Sequence, residues 1–291
     1  MKILITGKNG QVGSCLVDLL EAHTELTFLA LDREELDITD PIQVDKIVSE
    51  FRPNIIVNAA AYTAVDTAEQ ECELANAINR DGPQNLALAA NKINAVIIHI
   101  STDYVFNGDS AESYTELDVT APQGEYGRSK LAGEQAVAQA CPKHIILRTA
   151  WVFGEHGNNF VKTMLRLAKT RDTIGVVADQ FGGPTNADDI AKAILTISKQ
   201  IAHDSHSYGI YHFSGFPYVS WHSFAQKIFE IALEQNVLVQ PIKVNPITTL
   251  DYPTPAKRPA NSRLNCDKIY NAFGIKQSDW QAALTRIKEY L

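Results

Sequence analysis

The chain has 291 residues, of which 45% are hydrophobic, and 34 acidic against 26 basic residues give it a formal net charge of −8. This length suits two average domains or one enlarged α/β unit with a sizeable buried core. Because the acidic charge is spread along the chain, no nucleic acid and no anionic membrane is expected as a partner, whereas an anionic small molecule is not excluded.

Cysteine usage and the absence of targeting patterns predict a cytoplasmic protein. The four cysteines, Cys15, Cys72, Cys141 and Cys266, form no C-x-x-C pair, so we expect reduced thiols and neither a disulfide framework nor a zinc site. The first residues run directly into a predicted strand without the pattern of a secretory signal. No stretch of about 18 apolar residues occurs, so no membrane span is expected.

Short apolar runs alternate with amphipathic segments of helical length in the first half of the chain. Strands are predicted at residues 2–6, 26–31, 54–58, 95–100 and 144–148. Helices are predicted from Val12, from the N-cap pair Asp40-Pro41, and across residues 75–90 and 125–140. This β-α order predicts a Rossmann-like, doubly wound parallel sheet, with ligands bound beyond the carboxyl ends of the strands.

After about residue 150 the alternation loosens. Helices are predicted at residues 158–169, 186–199 and 220–234, while the prolines of residues 241–259 exclude a long helix there. We predict a dinucleotide-binding Rossmann domain over residues 1–150. Residues 151–291 are predicted to form mainly a smaller, substrate-binding α/β portion, with some segments returning to the Rossmann core.

The first motif is a turn in which Gly7, Gly10 and Gly13 recur at every third position. It follows a predicted strand and opens a predicted helix, so its backbone N–H groups can approach a pyrophosphate closely. A strand-to-helix turn without a ligand is the alternative. The context favours a dinucleotide site.

Two further strand ends carry candidate cofactor contacts. Asp32 ends the second strand, where an acid can hold the ribose hydroxyls of NAD, whereas Arg33, helped by Lys8, can pair with the 2′-phosphate of NADP. The two signals oppose each other, so NADPH and NADH both remain open. Residues 58–63 include a run of three alanines, and a flat cofactor can lie against such small side chains. A well-packed sheet end explains the alanines equally well.

The most specific constellation joins Thr102, at the end of the fourth strand, to the Y-x-x-x-K pair Tyr126 and Lys130. The pair lies one helical turn apart on a single face. Free tyrosine has a pKa of about 10, and a nearby ammonium, together with the positive nicotinamide of an oxidised cofactor, is expected to lower it. These residues predict a phenol that exchanges a proton with a reacting oxygen, which Thr102 or Ser101 orients.

Taken together, several motifs resemble the dTDP-4-dehydrorhamnose reductases of the extended short-chain dehydrogenase/reductase family. The resemblance covers essentially the whole chain, and it is carried by residues 6–13, 58–66, 101–106, 126–130, 148–153, 158–160, 184–185 and 258–264. It implies NADPH- or NADH-dependent reduction of dTDP-4-dehydro-L-rhamnose, with Tyr126 as proton donor and Lys130 as ribose-binding lysine. The implied cofactor contacts are Gly10, Gln11, Val12, Asp32, Asp37, Ile38, Ala61, Tyr62 and Thr63. The implied substrate contacts are Thr102, Asp103 and Trp151, joined by Arg258 and Asn261 for the nucleotide part.

One departure from the family concerns a magnesium ion that some members hold between subunits with glutamates. Here the matching positions read Ser14-Cys15, and a thiol is a poor ligand for a hard cation. We therefore expect no such metal, which leaves a homodimer only as an open option.

Two rival functions remain at this point. Dehydratases of this fold usually carry Thr-Asp-Glu where this chain has Tyr104 after Asp103, which speaks against dehydration. An epimerase would retain a tightly bound NAD. The other rival is a non-catalytic subunit resembling the regulatory subunit of methionine adenosyltransferase, although the joint presence of Thr102, Tyr126 and Lys130 favours an enzyme.

Overall fold

The computed structural model describes residues 1–202 and 207–291. In chain order its strands are β1 (Lys2–Thr6), β2 (Thr27–Leu31), β3 (Ile55–Asn58), β4 (Val96–Thr102), β5 (His144–Thr149), β6 (Val152–Phe153), β7 (Thr173–Val177), β8 (Phe181–Gly182), β9 (Thr185–Asn186), β10 (Gly209–His212), β11 (Val219–Ser220), β12 (Lys243–Ile247) and β13 (Asn261–Ser262). Its α-helices are α1 (Gln11–Glu21), α2 (Pro41–Phe51), α3 (Cys72–Asn76), α4 (Gly82–Lys92), α5 (Glu125–Ala140), α6 (Phe160–Ala168), α7 (Ala187–Ala202), α8 (Trp221–Glu234), α9 (Asp267–Phe273) and α10 (Trp280–Leu284).

Six parallel strands form the central sheet in the order β10-β5-β4-β3-β1-β2. The central strands are buried on both faces, which explains their uninterrupted apolar sequences. The chain starts at β1 and builds outward in both directions, so the strand order reverses beside β1. The predicted fold class is confirmed, and this reversal marks where a ligand crevice is expected.

Apolar side chains cover both faces of the sheet. One core cluster packs α1, α7 and α9 on one face, and another packs α2, α4 and α5 on the opposite face. The strand β10 and the helix α7 come from the second half of the chain, so this half contributes to the sheet and to its cover. A separate core cluster joins α6, α8 and α10 to β7 and lies outside the sheet. A boundary at residue 150 remains a prediction.

The helix predicted over residues 75–90 is interrupted. The structure has α3, then a π-helical turn at Ala77–Asp81, then α4. Pro83 lacks the N–H that would bond the carbonyl of Asn79 in a continuous helix. That carbonyl faces Gly133 of α5, where a Cβ would lie only 2.0 Å from it. The interruption therefore lets α5 pack closely against this turn.

The other predicted helices are confirmed with small shifts at their ends. Asp40 caps α2 by accepting from the backbone N–H groups of Ile42 and Gln43, as its position before Pro41 predicted. Residues 241–259 contain the strand β12 and a short 3₁₀ turn in place of a long helix. Across the described ranges, none of the helices combines the length and the apolar character needed to cross a membrane.

Candidate active site

The carboxyl ends of neighbouring strands bring the predicted motifs to one edge of the sheet. Thr6 pairs with Asn58, and Thr102 pairs with Thr149. The glycine turn after β1, the alanine-rich loop after β3 and the hydroxyl residues at the end of β4 therefore follow adjacent strands. This edge is the site that the sequence predicted.

The glycine turn is shaped for close backbone contact. Gly7 has a φ of 75°, and a Cβ there would lie 2.6 Å from the backbone nitrogen of Ala60. At Gly13 a Cβ would lie 2.1 Å from the carbonyl oxygen of Gly7, so only glycine lets α1 pack on the turn. The helix α1 begins directly after this turn, and the free N–H groups of a helix N-terminus suit a phosphate group.

The next two residues of the motif have different surroundings. Val12 is buried in the core beneath the sheet, so only its backbone can contact a ligand. The side-chain oxygen Oε1 of Gln11 accepts from the Asn159 side-chain amide at 3.2 Å. The amide of Asn159 thereby links the start of α1 to the start of α6, which Asn159 caps.

A cleft of about 780 Å³ opens beside this turn. Its volume is within the range of about 300–1,000 Å³ that is typical of ligand sites. Nine of the predicted cofactor contacts line it: Gly7, Gly10, Asp32, Arg33, Asp37, Ile38, Ala61, Tyr62 and Thr63. The crevice at the strand reversal therefore has the size and the backbone donors of a dinucleotide site.

Asp32 is held as a carboxylate at the rim of this cleft. Desolvation acts to raise its pKa, but the N–H groups of Glu35 and Glu34 donate to it and hold the pKa below its usual value. The predicted helper Lys8 lies 3.7 Å from this carboxylate and makes its shorter contact, 2.5 Å, with Glu35. The rim therefore carries both Asp32, an acid suited to ribose hydroxyls, and Arg33, a cation suited to a phosphate.

The loop that carries Ala61, Tyr62 and Thr63 is fixed by a buried amide that sequence reasoning missed. The side-chain oxygen Oδ1 of Asn79 accepts from the Tyr62 N–H at 2.8 Å. Its side-chain nitrogen donates to the Tyr62 carbonyl and to the Ser129 hydroxyl, each at 3.0 Å. Asn79 is fully buried in the π-helical turn. A buried asparagine in a helical run was the available signal, and π-helical turns are frequent at functional sites.

Thr102, Tyr126 and Lys130 come together as predicted. The Thr102 hydroxyl donates to the Asp103 carboxylate at 3.1 Å, and it lies close enough to the Tyr126 phenol to act on the pKa of that phenol. Tyr104 packs edge-on against the Tyr126 ring with centroids 5.4 Å apart. The Lys130 ammonium is buried below them and donates to the carbonyl of Ile100 at 2.7 Å. The phenol, the hydroxyl and the ammonium therefore form one cluster at the strand edge.

The pKa values of this cluster are dominated by burial. Burial raises the pKa of Tyr126 to about 12, although part of its ring remains exposed, and the Thr102 hydroxyl beside it only partly offsets this. Burial lowers the pKa of Lys130 to about 8, against the opposing charge of Glu134. In the chain without a nicotinamide, desolvation dominates, so the lowering expected from Lys130 together with the oxidised cofactor stays a prediction. A neutral phenol is a proton donor.

Beneath the cluster lies a buried ion pair that the sequence did not reveal. Arg148 donates to Glu134 through Nε at 2.9 Å and Nη2 at 2.7 Å, and the Ser101 hydroxyl donates to the same carboxylate at 2.5 Å. Burial, followed by the positive charge of Arg148, lowers the pKa of the neighbouring His212 to about 3. The pair connects α5, β4 and β5 directly below Thr102.

Two of the predicted substrate contacts, Asp103 and Trp151, border this cluster. Burial raises the pKa of Asp103 to about 6, while hydrogen bonds with Ser262 and Thr102 act in the opposite direction. The Trp151 ring stacks on Trp221, which was not predicted. A carboxyl group thus stands beside the Thr102 hydroxyl, and the indole of Trp151 follows β5, the strand that pairs with β4.

The predicted nucleotide contacts Arg258 and Asn261 differ from each other. Arg258 pairs through Nη2 with Asp66 at 2.7 Å, and its buried Nη1 has no partner among residues 1–202 and 207–291. The Asn261 amide nitrogen donates to two carbonyls, and its oxygen accepts twice from Arg263. The side chain of Asn261 is fully used within the protein, whereas Arg258 retains a free donor, so the nucleotide contact predicted for Asn261 has less support in the structure and stays a prediction.

Cys15, the position of the expected departure from the family, is buried under the loop after β6. Burial raises the pKa of its thiol to about 12, and the charges of Asp188 and Glu155 add to this effect. Its sulfur, a Glu155 oxygen and a His156 nitrogen lie within 4.8 Å of one another. The absence of the glutamate-held magnesium remains a prediction.

A doubly wound parallel sheet, a glycine turn at a helix N-terminus and a Thr-Tyr-Lys cluster at the strand edge define a dinucleotide-binding oxidoreductase of the short-chain type. The family model described as the RmlD substrate binding domain matches residues 1–291. The chain therefore belongs to the RmlD family.

Named relatives agree with this assignment. The chain is 53% identical to a dTDP-4-dehydrorhamnose reductase of Aggregatibacter actinomycetemcomitans, over 99% of both chains. A crystal structure of a dTDP-4-dehydrorhamnose reductase from Clostridium acetobutylicum superposes with a TM-score of 0.91 at 42% identity, over 98% of each chain. A reductase of the same name from Bacillus anthracis, solved in complex with NADP, has a TM-score of 0.89 at 42% identity and covers 98% of this chain and 97% of its own.

Proposed function

We propose that the chain reduces the 4-keto group of dTDP-4-dehydro-L-rhamnose to give dTDP-L-rhamnose, using NADPH or NADH. The observation that carries this proposal is the position of the Thr102 hydroxyl beside the Tyr126 phenol, with the buried Lys130 on the same helix donating to the carbonyl of Ile100, at the sheet edge shared with the glycine turn. Relatives that match nearly the full chain are named for this activity, and one was solved with NADP.

The residues present fit a dinucleotide. The glycine turn excludes any Cβ from the place where a pyrophosphate would approach α1, and the cleft beside it is lined by Asp32 and Arg33. We assign Gly10, Gln11, Val12 and Gly13 to the phosphates through their backbone, and Asp32 or Arg33 to the adenosine ribose. When bound, the reduced nicotinamide supplies the hydride.

The proton comes from the chain. As the carbonyl carbon of the keto-sugar gains the hydride, Tyr126 donates its phenolic proton to the carbonyl oxygen, which becomes the new hydroxyl. Burial keeps this phenol protonated across the physiological range, which is the form that reduction requires. We assign Thr102 to orienting the reacting oxygen, and the Lys130 ammonium to the ribose hydroxyls and to compensating the phenolate that forms. Such proton transfer contributes a factor of about 10²–10⁴ in rate.

The surroundings of Tyr104 speak against a dehydratase. Its ring lies against Tyr126, and burial raises the pKa of its hydroxyl further above the ordinary value. The position that holds the acid in dehydratases therefore carries a group that stays neutral. Asp103 is left as the nearby carboxyl, and we assign it, with Trp151 and Arg258, to substrate binding.

The test is oxidation of each reduced dinucleotide, separately, in the presence of enzymatically prepared dTDP-4-dehydro-L-rhamnose, with the product identified by NMR. Substrate-dependent oxidation that yields dTDP-L-rhamnose is expected. Tyr126→Phe should reduce kcat about 10²–10⁴-fold while dinucleotide binding, measured by calorimetry, stays intact. Binding of the dinucleotide without any turnover would refute the proposal and favour a regulatory subunit. Co-purified NAD would favour an epimerase.

A further inference from the structure

A lysine in the glycine turn is paired with two carboxylates at the rim of the dinucleotide cleft. The Lys8 ammonium lies 2.5 Å from Oε2 of Glu35 and 3.7 Å from Oδ2 of Asp32. Asp32 lines the cleft together with Arg33, where the adenosine ribose is assigned. The Lys8 ammonium therefore stands beside the part of the site that distinguishes a ribose hydroxyl from a ribose phosphate, and its charge is already engaged there.

Glu35 is held in this position by the loop that follows β2. Its Oε2 atom also accepts the backbone N–H of Asp32 at 3.0 Å. In return, Oδ1 of Asp32 accepts the N–H groups of Glu34 at 3.0 Å and of Glu35 at 3.2 Å. On the other side of the contact, the backbone N–H of Lys8 donates to the carbonyl of Leu31 at 3.3 Å. The ion pair of Lys8 and Glu35 thus joins two fixed segments of backbone, the glycine turn and the loop after β2.

The charges at this corner of the rim do not balance. The hydrogen bond with Glu35 raises the pKa of the Lys8 ammonium above its ordinary value, and the same contact lowers the pKa of the Glu35 carboxyl. Both groups, like Asp32, are therefore charged at physiological pH. Because one cation faces two carboxylates, the corner keeps one net negative charge.

NADH and NADPH differ at the 2′ position of the adenosine ribose. NADH carries a hydroxyl there, whereas NADPH carries a phosphate with about 1.5–2 negative charges. A hydroxyl can donate to a carboxylate such as that of Asp32, but a phosphate needs a cation and is repelled by excess negative charge. Lys8 is a cation in the right place, yet its ammonium is bound to Glu35.

We propose that Glu35 is a specificity-determining residue for the dinucleotide: it binds the Lys8 ammonium and thereby lowers the preference for NADPH over NADH. This inference rests on the proposed function. When residue 35 carries no charge, the ammonium is released either to the 2′-phosphate or to Asp32, whose charge it then compensates, and both outcomes favour NADPH. The adenosine end of a dinucleotide takes no part in hydride transfer, so the effect lies in binding of the dinucleotide and leaves kcat nearly unchanged.

The experiment compares Glu35→Gln, which keeps an oxygen for the N–H of Asp32 but removes the charge, with Glu34→Gln as the matched control. Glu34→Gln removes one negative charge from the adjacent residue, which also lines the cleft, while both partners of Lys8 stay in place. In Glu35→Gln the ratio of kcat/KM for NADPH to that for NADH should rise about fivefold, equivalent to about 1 kcal/mol, the size of one exposed ion pair. In Glu34→Gln the ratio should change less than about twofold, because the ammonium stays bound and a solvated charge is screened by salt.

The same replacement in a Lys8→Met background tests whether the effect passes through the ammonium. There Glu35→Gln should change the ratio less than about twofold, since no ammonium is left to release. The fivefold shift in the native background should also shrink as salt is raised from about 0.05 to about 0.5 M. An unchanged ratio in Glu35→Gln, a shift no larger than that of Glu34→Gln, or a shift that persists beside Lys8→Met would overturn the proposal.

Binding measured without the keto-sugar separates this proposal from the proposed function. Calorimetry compares NADP⁺ with NAD⁺, and the fragment 2′,5′-ADP with 5′-AMP, on the wild type and on both glutamine variants. The ratio of dissociation constants should shift about fivefold in favour of the 2′-phosphate in Glu35→Gln alone. If the wild type binds the dinucleotides but does not reduce the keto-sugar, the proposed function fails, and these constants still decide the role of Glu35. Equal constants for the wild type and Glu35→Gln would refute that role.

Discussion

Glu134 is the buried acid whose replacement tests the electrostatics below the active site. Glu134 and Arg148 are each 2% exposed, and two hydrogen bonds of 2.9 and 2.7 Å join them. Glu134→Gln keeps the shape of the side chain but leaves the guanidinium without a counter-charge. The neighbouring His212 cannot supply the missing negative charge, because an imidazole is either neutral or positive. Breaking a buried pair in this way costs about 3–5 kcal/mol of unfolding free energy.

The same replacement acts on Lys130. The Glu134 carboxylate is the charge that opposes desolvation of this ammonium, whose pKa is about 8. We therefore expect the pKa of Lys130 to fall further in the variant. A base whose folded pKa lies below its unfolded value of about 10.4 binds fewer protons when folded, so stability rises with pH between the two values. In Glu134→Gln this rise should begin at a lower pH than in the wild type.

The assay is urea unfolding followed by tryptophan fluorescence at several pH values. Glu134→Leu combined with Arg148→Met should recover most of the lost stability, since an apolar pair of similar volume needs no counter-charge. The matched control is Asp45→Asn, which breaks an ion pair with Lys92 whose side chains are 47% and 64% exposed, and should cost less than about 1 kcal/mol. A loss below about 1 kcal/mol in Glu134→Gln would refute the reasoning.

Three further predictions concern single residues of the site. The raised folded pKa of Asp103, about 6, means that stability from this group is present below its unfolded value of about 3.9 and is lost as pH rises through 6. At neutral pH, Asp103→Asn should therefore have a higher free energy of unfolding in urea than the wild type, by up to about 3 kcal/mol. Arg258→Met should raise KM for the nucleotide sugar, because the free Nη1 donor is lost, whereas Asn261→Ala should lower stability by about 1–3 kcal/mol and leave KM unchanged. Arg33→Ala should raise KM for NADPH more than KM for NADH.

Each of these three has an outcome that contradicts it. An unchanged pH dependence of unfolding in Asp103→Asn would show that this carboxyl is not the group that titrates near pH 6. A selective rise in KM for Asn261→Ala would contradict the structural role of this side chain and support the predicted ligand contact. Equal effects on both dinucleotides in Arg33→Ala would exclude a phosphate-specific contact.

The strands and the glycine turn were predictable because their signals are local. Buried parallel strands read as apolar runs, and the spacing of Gly7, Gly10 and Gly13 follows from the contact of α1 with the turn. The π-helical turn before Pro83 was not predictable, because the alanine-rich sequence on both sides favours a continuous helix. What breaks it is the missing N–H of one proline together with close packing against Gly133, and only the first of these is visible in the sequence.

The supporting residues of the site escaped prediction for a different reason. Asn79 is 50 residues from the Ser129 hydroxyl that it binds, and Glu134 is 33 residues from Ser101. No pattern of spacing in the sequence indicates that residues so far apart are in contact. The pKa of Tyr126 in the chain was not predictable for the same reason. The sequence shows that Lys130 is one turn away, but it does not show that its ammonium donates to the carbonyl of Ile100.

Arg258 and Asn261 show how far a motif can carry an assignment. They lie three residues apart in one stretch that resembles the family, so the sequence assigned both to the nucleotide. In the structure the side chain of Asn261 forms four hydrogen bonds, with the carbonyls of Ser110 and Glu112 and with Arg263. Arg258 pairs with Asp66, and its buried Nη1 has no partner in the described part of the chain. A buried donor without a partner is costly unless something satisfies it, whereas a satisfied amide gains nothing from a ligand. The hydrogen bonds of each side chain can be counted only from coordinates. That count distinguishes a side chain with a free donor, which suits a ligand, from one whose donors and acceptors are all used, and the motif cannot make this distinction.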